Sequence, residues 1–186
     1  MTSRDDILSA IRARRLRTRE RPPSYIAPKL TDAVERFAHE AASEHAEVRV
    51  LDSEADIPAA VADILRARNL PAELPSGPPG PDDAVLTHAD YAIAETGTLA
   101  FLAASDAPAA NHFRAGLEIA VVKAENILPH LENVLARIRL PHTLNLVTGP
   151  SRTGDIEQTL ELGAHGPKEL VILLVRECRT HPQREK

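Results

Sequence analysis

Apolar positions along this chain switch repeatedly between helical and strand-like spacing, and that alternation predicts an α/β fold. Near the start, Ser3 followed by Asp5 and Asp6 reads as a helix opening, with Ile7, Leu8, Ile11 and Leu16 at near-helical intervals. Acids come first and arginines, Arg12 to Arg19, come last, as the helix dipole favours. Pro22, Pro23 and Pro28 break this helix, after which Leu30, Val34, Phe37 and Ala41 predict a second one reaching about Ser43. Val48 to Leu51 reads as a strand. Ile57, Val61, Ile64 and Leu65 form the inner stripe of a third helix.

From Leu70 to Asp83, the prolines Pro71, Pro75, Pro78, Pro79 and Pro81 impose a loop. Strands are expected at Ala84–Leu86, Tyr91–Ala94 and Leu99–Ala103, with a turn at Thr96-Gly97-Thr98. Leu117 to Val122 is the clearest buried strand, and a helix over Ile127–Ile138 is expected to follow it directly. The last two strands are Thr143–Val147 and Glu169–Val175. Apolar strands separated by helices predict a mostly parallel sheet flanked by helices, preceded by N-terminal helices. Ligand sites in such sheets lie beyond the carboxyl ends of the strands. One structural unit suffices: an N-terminal helical region at 1–45, an α/β domain at 46–178 and a flexible tail at 179–186.

Composition removes several functions. The aromatics are Phe37, Phe101, Phe113, Tyr25 and Tyr91, with no tryptophan, which leaves little for base stacking. A net charge of -5 lacks the broad positive field that phosphate backbones require, so no nucleic acid is expected. The arginine cluster Arg12, Arg14, Arg15, Arg17, Arg19 and Arg21 is either a solvated face or a contact for an anionic partner. Cys178 is the sole cysteine, so neither an intramolecular disulfide nor a CxxC pair can form. No cofactor or metal site is expected in this chain. Neither a signal-peptide stretch nor a run of about 20 apolar residues is present, and the expectation is a cytoplasmic protein without a membrane span.

Two segments carry candidate chemistry. Gly149 to Pro167, directly behind a predicted strand, combines glycines, hydroxyls and an arginine, a composition suited to an anion. It contains neither GxxxxGK[ST] nor GxGxxG, so nucleotide-fold chemistry has no support there. Arg152 offers paired donors to a carboxylate or phosphate, while Gly149, Ser151 and Thr153 supply backbone and hydroxyl groups. Asp155 would cap local N–H groups, orient Arg152 or act in catalysis. His165, between Gly163 and Gly166, would hold the backbone turn, donate to an anion or exchange a proton. In the other segment, Glu95 precedes Thr96, Gly97 and Thr98, and Gly97 permits a sharp turn or a close backbone approach. Glu95 is open to two readings, a structural carboxylate around the turn or an acid, base or nucleophile.

Ala89–Ala104 (ADYAIAETGTLAFLAA) and Thr148–Val175 (TGPSRTGDIEQTLELGAHGPKELVILLV) resemble the lactate-utilisation proteins of the LUD domain family. The resemblance implies a fold like that of sugar-phosphate isomerases, glucosamine-6-phosphate deaminase and CoA-transferases. It also implies a role in oxidising L-lactate to pyruvate beside iron–sulfur partner proteins, the clusters residing in those partners. Its motif residues here include Glu95, Thr96, Gly97, Thr98, Gly149, Pro150, Ser151, Arg152, Thr153, Asp155, Glu157, His165, Gly166 and Pro167. The chain departs at Glu118, where the family often carries histidine, and at His88, a turn position where small residues are common. Three functions follow: a lactate-utilisation subunit, alone or as an oligomer, that binds a small organic or phosphorylated anion or docks to iron–sulfur partner proteins; a CoA-transferase-like or acyl-handling enzyme using Glu95; and a non-catalytic interaction module.

Overall fold

The computed structural model describes residues 3–13, 29–102, 112–139, 143–154, 160–162 and 166–176. Helix α1 spans Ser3–Ala13 and exposes Ile7 and Leu8. Next along the chain are α2 (Ala33–Ser43), β1 (Glu47–Leu51), α3 (Ile57–Ala67), β2 (Ala84–His88), β3 (Tyr91–Ile93), β4 (Thr98–Leu102) and β5 (Leu117–Lys123). They are followed by β6 (Ile127–Leu128), α4 (Leu131–Arg137), β7 (Leu144–Val147), β8 (Arg152–Gly154), β9 (Leu160–Leu162) and β10 (Glu169–Val175).

The expected α/β architecture is present, built on a parallel sheet ordered β1-β10-β5-β2. Its two inner strands, LEIAVVK and ELVILLV, are apolar on both faces because both faces are covered. On one side Val61, Ile64 and Leu65 of α3 meet Ile119, Val121, Val171 and Leu173. Opposite them, Ala120, Val122, Leu170, Ile172 and Leu174 pack on Phe37 and Ala41 of α2 and on Ala92, Leu99 and Phe101. Arg68, capping the end of α3, bonds Glu47 at 2.8 Å and Glu169 at 2.7 Å, which ties the helix to the starts of β1 and β10.

A second sheet was not anticipated. Its order is β6-β3-β4-β7, with β4 antiparallel to β3 and β7 and β6 parallel to β3. Val134 of α4 covers its outer face against Ile93, Ala100 and Leu128. This layer corrects the expected helix over Ile127–Ile138. Ile127 and Leu128 instead pair with Ala92 and Ile93, and helix begins only at Leu131. Pro129 is the reason, since the residue before a proline is pushed out of helical geometry into extended conformation. Beyond β7, the segment expected as loop contains the antiparallel pair β8–β9. Most of the arginine cluster, Cys178 and the tail at 179–186 lie outside the described residues.

Candidate functional site

Where β7 ends, the chain turns through Thr148 and Gly149 toward the end of α2. Gly149 has φ +67°, and a β-carbon on it would collide with the carbonyl oxygen of Glu44, so only glycine fits this close approach. Two residues on, the Ser151 N–H donates to the Pro167 carbonyl at 2.9 Å, joining the loop to the segment that enters β10. Gly166 lies close by, leaving only 3.1 Å between its would-be β-carbon and Ser151 Cβ. These approaches border an open cavity of about 490 Å³ lined by His112, Thr148, Gly149, Ser151, Gly166 and the α2 end at Glu44 and His45.

Three threonine hydroxyls lead to that wall. Thr96 and Thr98 are 2.7 Å apart, and Thr98 and Thr148 are also 2.7 Å apart. Thr98 is buried, so the chain of hydroxyls connects the β3–β4 turn to the cavity through the protein. Gly97 between them has φ +64° and lies against the backbone of α2. The two sequence segments singled out for chemistry are thus brought together through Thr98 and Thr148.

Glu95 is placed elsewhere. Its carboxylate accepts from the buried His130 imidazole, with Nδ1 to Oε2 at 2.8 Å, and its backbone N–H donates to Pro129. Its side chain is 42% exposed and is not among the groups lining the cavity. Arg152 and Thr153 lie in β8, opposite Leu162 and Glu161 of β9. Asp155 and His165 lie outside the described residues.

The cavity holds a group that sequence reasoning passed over. His112 is only 7% exposed, and its Nδ1 lies 2.7 Å from Oε1 of Glu118, which is fully buried. The same oxygen accepts from the Thr87 hydroxyl at 2.7 Å, while Oε2 has no hydrogen-bond partner among the described residues. Register explains the meeting: Val85 pairs with Glu118 and Thr87 with Ala120, so Thr87 and Glu118 share one face of the sheet. The Phe101 ring stands 4.2 Å from the imidazole and fixes its position further. Glu118 had been noted as a departure from the family pattern, and a lone acid within an apolar strand was the available signal. Nothing in the sequence joined it to His112 or Thr87.

Ligand sites in such sheets are expected beyond the carboxyl ends of the strands, and this cavity lies at the other edge. Glu118 is the second residue of β5 and Pro167 precedes β10, so this cavity opens at the amino edge of the parallel sheet. At the carboxyl edge lies another cavity of about 380 Å³, lined by His88, Asn126 and the 2.5 Å pair Lys123–Glu54. Among the described residues, no three His, Cys, Asp or Glu side chains are grouped to hold a metal ion, and no helix is long and apolar enough to cross a membrane.

Comparison with known proteins follows the same segments. The sequence profile of the LUD domain matches residues 82–175, from just before β2 through β10. Lactate utilization protein C of Halalkalibacterium halodurans is 29% identical over 103 residues, 51% of this chain and 45% of that protein. The protein of the same name from Bacillus subtilis is 29% identical over 98 residues, 48% of this chain and 41% of its own length. The match therefore spans less than half of either curated relative. A crystal structure of a DUF162 family protein from Deinococcus radiodurans shares the fold with a TM-score of 0.58 at 25% identity, covering 79% of this chain and 99% of that one.

Proposed function

Since the chain belongs to the LUD domain family, we propose that it serves lactate utilisation by binding a small organic anion in the cavity beside the Thr148–Ser151 loop. The observation that carries this reading is the convergence of His112, Thr148, Ser151 and two glycines on one cavity of about 490 Å³. That volume suits a small ligand, and a few convergent polar groups are what orient one. The relatives are named for lactate utilisation, and the proposed substrate class is accordingly a 2-hydroxy acid or its 2-oxo counterpart. Arg152, next along the chain from Ser151, is the proposed charge partner of the carboxylate. With one cysteine in its sequence, the chain falls short of the thiolates an iron–sulfur cluster needs. On the resemblance to lactate-utilisation proteins, the electrons of lactate oxidation would pass to iron–sulfur partner proteins.

A calorimetric titration with L-lactate, pyruvate, CoA and a nucleotide panel tests this. Binding of the small acids, abolished or sharply weakened by Arg152→Ala, supports it; a folded protein that takes up none of them overturns it. The accessible Glu95 carboxylate on its buried imidazole favours a second reading, a CoA-transferase-like enzyme. Mass spectrometry after incubation with an acyl-CoA decides that one, since it requires an acyl or CoA adduct on Glu95.

A further inference from the structure

We propose that His112, held by Glu118, discriminates 2-hydroxy acids from 2-oxo acids in this cavity through the protonation state of its imidazole. The proposal rests on the ligand reading above and assigns the specificity of that site. A carboxylate can only accept, so the 2.7 Å contact places the hydrogen on Nδ1 of His112 and leaves Nε2 as the nitrogen available to a ligand. In the neutral ring Nε2 is a lone pair. It accepts from the hydroxyl of a 2-hydroxy acid, whereas a 2-oxo group, itself an acceptor, faces it unpaired. In the protonated ring Nε2 carries a hydrogen and the preference is lost, because a carbonyl oxygen and a hydroxyl oxygen both accept it. A mispaired buried polar contact is what makes such discrimination large.

Glu118 is what makes both states usable. It is fully buried, one oxygen accepts from His112 and Thr87, and the other has no partner among the described residues. A carboxylate in that setting accepts from the Nδ1–H whether or not Nε2 carries a hydrogen. The Phe101 ring and the short Nδ1 contact hold the imidazole in this orientation. Of the elements around His112, β2 presents Thr87, β4 presents Phe101, and the loop after β7 presents Thr148 and Ser151, none of which titrates near neutral pH. The end of α2 contributes Glu44 and His45, so His45 is the control residue.

The experiment is calorimetric titration of the full chain with L-lactate and with pyruvate at about pH 5.5 and about pH 8.5, on either side of the ordinary histidine range. It is run on the unaltered protein, His112→Gln, Glu118→Gln and His45→Gln, each checked for fold by circular dichroism. The ratio of pyruvate to lactate affinity should fall by about tenfold or more from the lower to the higher pH. That swing should vanish in His112→Gln and persist in His45→Gln. In Glu118→Gln the swing should shrink, because Nδ1 has lost the carboxylate that fixes its hydrogen. Should His112→Gln fail to fold, nitrogen-15 NMR of the unaltered protein still decides, since the neutral ring must carry its hydrogen on Nδ1. A ratio that ignores pH, a swing retained without His112, or an Nε2–H neutral ring overturns the proposal and leaves the ligand site standing. Binding of neither acid at either pH removes the ligand reading, and this inference with it.

Discussion

Gly97 stands so close to Ala41 that a β-carbon at its position would overlap the Ala41 amide nitrogen and the Glu40 carbonyl carbon, and its φ of +64° lies in the left-handed region that favours glycine. The β3–β4 turn and helix α2 are therefore in backbone contact, and α2 in turn packs on the parallel sheet. Gly97→Val should cost about 3 kcal/mol or more, from strained backbone together with displacement of α2. Urea unfolding checks this; a variant within about 0.5 kcal/mol of the original would remove the argument.

Thr87→Val keeps the shape of the side chain and removes one of the two hydrogen bonds to the buried Glu118 carboxylate. The expected loss is about 1 to 2 kcal/mol of stability, the penalty for leaving a buried acceptor poorer by one donor. The same urea titration measures it. An unchanged midpoint would mean that Glu118 does not depend on this hydroxyl.

Arg152→Ala should weaken binding of a small carboxylate by about 2 kcal/mol, some thirtyfold, while the unfolding midpoint stays within error. Calorimetry and thermal melting together separate the two effects. Affinity that survives the substitution would assign the ligand's charge to another group.

Glu47 yields a pH prediction. Burial alone would raise its pKa, but hydrogen bonds from Arg68 and Arg49 outweigh that, and the net shift is downward from the ordinary value of 4.5. A carboxyl whose folded pKa is lowered contributes stability that is present above 4.5 and disappears as pH falls through the folded value. Arg68→Met should accordingly destabilise the protein by about 1 kcal/mol at neutral pH, a modest figure because Glu47 is partly exposed. The difference from the original protein should shrink below pH 4.5. Urea midpoints across that range test the sign, and a gap that widened in acid would contradict it.

Much of the scaffold was legible because its causes are local. The Phe37 and Ala41 stripe, the Val61, Ile64 and Leu65 stripe and the apolar runs of β5 and β10 each carry a period that one kind of element satisfies. The Leu128-Pro129 step was also local evidence, yet the helical spacing of Ile127, Leu131 and Val134 concealed it. A strand as short as β6 exists only because Ala92 and Ile93 offer it a partner, and partners do not show in a hydrophobic pattern.

The sequence by itself determined the α/β class, the parallel sheet, the resemblance to the LUD family and the close backbone approach at Gly97, since these depend on side-chain period and on the conformational freedom of single residues. Only the tertiary structure decided which chemical groups meet. Glu95 went to His130, Thr98 to Thr148, and Glu118 to His112 and Thr87. Those pairings follow from strand order and register, which bring positions as far apart as 50 residues within hydrogen-bond distance. A one-residue change of register would send every side chain of a strand to the opposite face.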